Sequence, residues 1–191
     1  MKKAEKISQE FKTTFAARSL MSYLNKFEIE TSYGIKAWKR WGNTAEQIIK
    51  SNPYVLCIQG VDLSFSRADA VAAKSDIPAD SECRIKAGIT YILRQNADQG
   101  HTCLPLDSLV KTAVSYLDVD EKLIKKVIED ETEEENLYYY DKHGRRFVML
   151  ADFYKAEDYI ARRLAIMRQI SYDNKIDFSE VIDLEEENNG I

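Results

Sequence analysis

Tyr23-Leu24-Asn25-Lys26-Phe27-Glu28-Ile29-Glu30-Thr31-Ser32-Tyr33-Gly34-Ile35-Lys36-Ala37-Trp38-Lys39-Arg40-Trp41-Gly42 decides how the chain folds, because two amphipathic patterns meet inside it. The first closes a helix over residues 3–26, where Ile7, Phe11, Phe15, Leu20, Met21, Leu24 and Phe27 recur at three- and four-residue steps while Lys and Glu fill the other face. That period gives the helix one buried side. A shorter pattern starts around Gly34, with Ile35, Trp38 and Trp41 on one side, Lys36, Lys39 and Arg40 on the other, and a stop at Gly42-Asn43. It predicts a short helix with a basic outer strip and the two tryptophans packed inward rather than offered as stacking platforms.

Working outward, Thr44 to Lys50 adds a turn or two of helix, Pro53 suits a first helical turn, and Ser64 or Ser66 caps a helix from Arg67 through Ala73. After the break at Ser75-Asp76-Ile77-Pro78, a longer helix runs from Ser81 to Gln99 with Ile85, Ile89, Ile92 and Leu93 inward and Gly100 as its stop. Leu106 to Leu117 and Glu121 to about Glu131 form two more amphipathic helices. Leu137-Tyr138-Tyr139-Tyr140 and Arg145 to Leu150 flank a turn at Asp141-Lys142-His143-Gly144, which signals a β-hairpin. Helix, helix, hairpin is the order of a winged-helix-like unit. A helix from Phe153 to about Ile170 follows, carrying Tyr159, Ile160, Leu164 and Met167, and an acidic linker or tail closes the chain over 171–191. The expected fold is mainly α, divided at 1–76, 77–170 and 171–191.

Composition narrows the chemistry. The chain has 191 residues, 45% of them hydrophobic, enough for one ordinary domain or two small ones. Its longest apolar run falls far short of the ~20 residues needed to span a bilayer, and the start Met1-Lys2-Lys3-Ala4-Glu5-Lys6 lacks a signal-peptide block. A cytoplasmic protein with no membrane partner is expected. Cys57, Cys83 and Cys103 lack CxxC spacing, and His101 and His143 are the only histidines, so three reduced, mostly buried thiols are expected rather than a disulfide framework or a zinc site. The net charge of −5 conceals an asymmetry: residues 1–74 carry 12 Lys and Arg against 7 Asp and Glu, whereas residues 75–191 carry 15 against 25. Any contact with nucleic acid therefore belongs to the N-terminal part.

No GxxxxGK[ST] phosphate loop occurs, nor HExxH, GxSxG or SxxK, so neither an ATPase motor, a catalytic site nor a cofactor is expected within this sequence. His101 and Cys103 read as a connection with a buried thiol rather than a catalytic dyad. The run Glu129 to Glu135 is continuous rather than spaced like metal ligands, and reads as a solvated helix end.

The quoted stretch 23–42 resembles the first helix-hairpin-helix of the RecD-like ATP-dependent DNA helicases, also known as exodeoxyribonuclease V alpha subunits. Ala45-Glu46-Gln47-Ile48-Ile49-Lys50-Ser51-Asn52-Pro53-Tyr54-Val55-Leu56 is similar to that family's stretch ending Glu-Asn-Pro-Tyr-Arg-Leu. Leu63-Ser64-Phe65-Ser66-Arg67-Ala68-Asp69-Ala70-Val71-Ala72 falls on its second hairpin. Arg84-Ile85-Lys86-Ala87-Gly88, Gly100-His101-Thr102-Cys103-Leu104-Pro105, Phe153-Tyr154-Lys155-Ala156-Glu157 and Ile160-Ala161-Arg162-Arg163-Leu164 continue the likeness in order. The resemblance implies tandem helix-hairpin-helix units, linked in DNA repair and recombination to a helicase motor that this sequence does not contain, whether as an excised domain or a shortened relative.

The departures matter equally. Glu28 stands where the first turn's glycine is expected, and Asp62 and Ser64 replace the two glycines of the second. Such turns bind DNA because glycines let backbone N–H groups approach phosphate oxygens, so carboxylates there oppose contact. Lys36, Lys39, Arg40 and Arg67 are the candidate contacts to the DNA backbone, with Ser66 as an added hydroxyl donor. The plain alternative for each is a solvent-facing residue that keeps its helix soluble. Two functions stay open: an accessory domain guiding single-stranded or forked DNA to the motor, and a docking or spacer module with little DNA affinity. His143, Arg145 and Arg146 mark the hairpin tip, where Asp141 opposes DNA, and a protein contact or spacer is expected there.

Overall fold

The computed structural model describes the backbone of residues 2–169 and of residues 179, 182, 183 and 186, with side chains from residue 14 onward. The expected tail at 171–191 and the inward positions of Ile7 and Phe11 therefore lie largely outside the described residues. Contacts divide the chain into two compact units, Met1–Phe153 and Tyr154–Ile191.

The first unit opens with α1 (Lys2–Asn25), α2 (Thr31–Trp41), α3 (Ala45–Ser51) and α4 (Phe65–Ala73), with 3-10 turns at Gly42–Thr44 and Pro53–Cys57. Then come α5 (Glu82–Asp98), β1 (Cys103–Pro105), α6 (Leu106–Leu117), α7 (Glu121–Glu133), β2 (Leu137–Lys142) and β3 (Arg145–Leu150). The final helix, α8 (Ala151–Gln169), begins in this unit and continues into the second. The fold is mainly α, as expected, with helical hairpins followed by a winged-helix-like part.

The strands add one element that the sequence did not announce. Only three residues long, β1 pairs antiparallel with β3, giving the order β1-β3-β2. A strand this short carries no readable alternation. The hairpin turn is a two-residue loop in which His143 and Gly144 both have positive φ (51° and 72°), flanked by the pair Lys142 and Arg145. This geometry matches the right-handed twist of the strands.

One continuous cluster of buried side chains runs from Leu20 of α1 to Leu150 of β3, crossing position 76 without interruption. All four residues expected inward on α5 are buried in it. The basic-stripe helix α2 packs differently from expectation. Its buried residues are Gly34 and Ala37, Trp38 and Trp41 pack half-buried against the core, and Ile35 is exposed. Gly34 explains this: a Cβ there would lie 2.5 Å from Met21 Sδ, so α2 meets α1 through its smallest residues and Ile35 turns outward. Phe15, also expected inward, is 66% exposed; among the described residues of α1 the fully buried ones are Leu20 and Leu24.

Two charged junctions hold the helices together, one between α4 and α5 and one between α5 and the end of α7. Arg84 of α5 donates through Nε and Nη2 to Asp69 of α4 (2.7 and 3.2 Å), and through Nη1 to the carbonyls of Ala79 and Leu117 (2.8 Å each). Tyr54 donates its hydroxyl to the same carboxylate. Burial pushes the Asp69 carboxyl up, but the hydrogen bonds from Arg84 and Tyr54 outweigh it and hold the group below its ordinary value. The second junction corrects the reading of the acidic run. Glu131 is only 9% exposed and sits 2.8 Å from Lys86 Nζ, which also meets Glu82 (2.8 Å) and Glu134 (3.4 Å). Hydrogen bonds from Lys86 to Glu131 and Glu82 hold its ammonium well above its usual range.

The three thiols are half-buried, not mostly buried as expected, and form no disulfide. Burial pushes the Cys57 thiol up to about 12, so it stays protonated at neutral pH.

Two measurements check this packing. Asp69→Asn should lower stability by about 2 kcal/mol near neutral pH, because it leaves Arg84 half-buried without its charge partner. Since folding depresses the Asp69 pKa, its contribution is complete above the ordinary value of 3.8 and fades as pH falls through the native value. Urea titrations should therefore show wild type and variant converging only on the acid side. Gly88→Ala should cost on the order of 1 kcal/mol net, because overpacking outweighs the gain in helix propensity. The added Cβ would lie 2.6 Å from a side-chain carbon of the buried Leu117. Equal or greater stability in the alanine variant would contradict the tight α5–α6 contact.

Candidate nucleic-acid interface

Two turns of the same construction lie thirty-four residues apart. Glu28 and Asp62 both occupy the left-handed region (φ 57° and 64°). Each is followed by a buried aliphatic residue, Ile29 or Leu63. Each then enters a helix through an extended residue, Glu30 (φ −59°, ψ 144°) before α2 and Ser64 (φ −63°, ψ 147°) before α4. The positive φ reverses the chain, and the buried aliphatic pins the reversal to the core. Neither Glu30 nor Ser64 makes a side-chain cap hydrogen bond, so neither residue's side chain serves the first N–H groups of its helix.

The sequence carries no hint of how the two turns are joined. Lys36 of α2 donates to the Val61 carbonyl (3.1 Å) and lies 3.7 Å from Asp62 Oδ2, both in the second turn. Arg67 of α4 donates to the Glu28 carbonyl in the first turn (2.7 Å) and lies 3.6 Å from Glu30. The Tyr33 ring takes both cations, Lys36 at 5.6 Å and Arg67 at 5.7 Å from its centroid. Each hairpin thus sends a cation to the turn of the other. The carboxylate of Asp62 also folds back to accept from the Gly60 N–H (3.0 Å), while Glu28 makes no ion pair among the described residues.

Of the five candidate contacts, the structure gathers Lys36, Ser66 and Arg67 at the turns, where Ser66 Oγ lies 3.4 Å from Ser64 Oγ. It does not bring Lys39 and Arg40 to them. These two occupy the last turn of α2, about 12 Å along the axis from its first residue at 1.5 Å per residue. Both are exposed and without an ion pair among the described residues, and Arg40 lies over the Trp41 ring (5.9 Å). A position at a helix C-terminus is also where cations complement the helix dipole.

Tyr33 was not singled out by its sequence position; only the two converging cations mark it. The same holds for a stack in which the rings of Tyr54 and Phe65, Phe65 and Tyr91, and Tyr91 and Tyr116 lie 5.5–5.7 Å apart. This stack borders a cleft of about 460 Å³ between the second turn and α5, lined by Asp62, Ser64, Phe65, Tyr91, Arg94 and Asp98 among others. At the β-hairpin tip, Arg146 is held by Asp141 through two contacts (3.0 and 3.1 Å) and lies over Tyr139 (4.9 Å). Among the described residues no His, Cys, Asp and Glu group is arranged to hold a metal ion, and no helix is long and apolar enough to cross a membrane.

Residues 13–103 match the family described as the ATP-dependent RecD2 DNA helicase HHH domain. The matched span takes in both left-handed turns, the cations that cross between them and the Asp69–Arg84 junction, and it ends at Cys103, where β1 begins. With two helical hairpins of one construction closed on one core, residues 13–103 of the chain are similar to the helix-hairpin-helix domain of the RecD2 DNA helicases.

Proposed function

We propose that the chain is a DNA-binding accessory region whose paired hairpins contact the DNA backbone and guide single-stranded or forked DNA to a helicase motor. The observation that carries this reading is the matched pair of turns, each ending at a helix N-terminus that no side chain caps. Such termini present backbone N–H groups and the positive end of the helix dipole to phosphate oxygens. Lys36, Lys39, Arg40, Ser66 and Arg67 are the side chains assigned to that contact. Lys39 and Arg40 hold no competing carboxylate among the described residues, so they supply charge without first breaking an ion pair. Lys36 and Arg67 instead brace the turns and lower the cost of the acids beside them.

A second reading, a docking or spacer module with little DNA affinity, is favoured by one feature: Glu28 and Asp62 place carboxylates where the family has glycine. The two readings separate on salt. A backbone-contacting region loses affinity steeply between about 50 mM and about 200 mM salt, because binding releases counterions.

Fluorescent single-stranded, duplex and forked oligonucleotides titrated at those two salt concentrations should show this dependence, and Lys39→Glu with Arg40→Glu should weaken binding to the duplex about tenfold or more. Absence of binding at the lower salt would favour the spacer. Glu28→Gly with Asp62→Gly should raise DNA affinity several-fold, because the change removes two phosphate-repelling charges and frees the turns for closer approach. An unchanged affinity in that variant would remove the turns from the contact surface.

A further inference from the structure

A groove of about 410 Å³ opens between α1 and α3, apart from the two turn apices. Phe15, Ser22 and Lys26 line it at seven- and four-residue spacing, on one face of α1 together with Arg18. Tyr23 and, from α3, Lys50 complete the wall. An exposed phenylalanine on a charged helix face is the anomaly here, since Phe15 is 66% exposed. Around it the charges are largely uncommitted: Arg18 and Lys26 are exposed and hold no ion pair among the described residues. The one acid among the described lining residues, Glu46, is already engaged by Lys50 (2.6 Å). Hydrogen bonds from Lys50 and then Ser19 hold its carboxyl below the usual range.

Rings and cations alternate beyond the groove as well. Lys50 lies over Tyr23 (5.1 Å), Tyr23 meets Phe27 edge-on (5.1 Å, 67°), and Lys74 lies over Phe27 (6.0 Å). A strip that interleaves aromatic faces with ammonium and guanidinium groups has the chemistry of a track for unpaired nucleotides: bases stack on the rings while the cations follow the phosphates. Duplex DNA offers no free base face, so it gains only the charge. None of this depends on glycines in the turns, which distinguishes it from the hairpin contact.

We infer that the α1–α3 groove, with Phe15 as its stacking ring and Arg18 and Lys26 as its phosphate partners, is a binding site for single-stranded DNA separate from the hairpin turns. The inference rests on the reading of this chain as a DNA-handling region, which it deepens by assigning the unpaired strand to one surface and the duplex backbone to another.

The test uses the whole chain, an oligo-dT of about 15 nucleotides and a duplex of the same length. Phe15→Ala with Arg18→Glu changes only exposed side chains, and circular dichroism checks that the variant folds. The groove variant should lose about tenfold in affinity for the single strand while duplex affinity stays within about twofold of wild type. Lys39→Glu with Arg40→Glu should show the reverse preference. Unchanged single-strand affinity in the groove variant, with the hairpin variant losing both ligands, would overturn the groove and leave the hairpin function standing. A wild-type chain that binds neither ligand would overturn both, whereas duplex binding alone would overturn only the groove.

Discussion

The Arg84 guanidinium is the contact on which the assembly of the first unit depends. One planar group reaches Asp69 on α4, the carbonyl of Ala79 between α4 and α5, and the carbonyl of Leu117 at the end of α6. With its side chain only 14% exposed, it would be costly to hold there without the bidentate carboxylate. The planar fork suits this geometry, because Nε and Nη2 grip the carboxylate side by side while Nη1 reaches the two carbonyls, a spread wider than a compact ammonium offers. Tyr54, from the 3-10 turn that precedes the second hairpin, shares the same carboxylate and starts the aromatic stack that continues through Phe65 and Tyr91. The second hairpin is thereby fixed to the helices that follow it.

Within the hairpin pair a different economy operates. Non-glycine residues at positive φ cost on the order of 1 kcal/mol each, and this pair carries two of them, both acidic. The cross-braces offset part of that cost. Lys36 and Arg67 satisfy turn carbonyls and stand near the introduced acids, and the Tyr33 ring between them spreads the contact over both hairpins. Lys36 and Arg67 are thus spent on holding the hairpins together. Among the described residues, charge free of ion pairs sits instead at Lys39 and Arg40 and, on and just after α1, at Arg18 and Lys26.

The acidic half of the chain is built around the opposite arrangement. Lys86 gathers Glu82, Glu131 and Glu134 about a single ammonium, which ties α5 to the end of α7 and leaves the surrounding surface negative. The hairpin tip repeats this on a small scale, with Arg146 neutralised by Asp141. The charge asymmetry along the sequence therefore has a structural side: after residue 75 cations such as Lys86 and Arg146 are held by acids, whereas Lys39 and Arg40 before it hold no ion pair among the described residues.

Much of the architecture was legible in the sequence because it depends on neighbours a few residues apart. The 3.6-residue period of α5, the stop at Gly100 and the β-hairpin all resolved, with β2 running two residues further than expected, to Lys142, since capping and periodicity are local. The likeness of residues 23–72 to paired hairpins was legible for the same reason: a reversal needs its turn residue and its buried aliphatic side by side. What the tertiary structure alone decided concerns partners far apart in the chain. It turned Ile35 outward because Gly34 meets Met21, buried Glu131 because Lys86 lies beside it, and paired β1 with β3. It also spent Lys36 and Arg67 on the opposite turns. A charged side chain's partner is set by through-space distance, and no pattern along the chain encodes that distance.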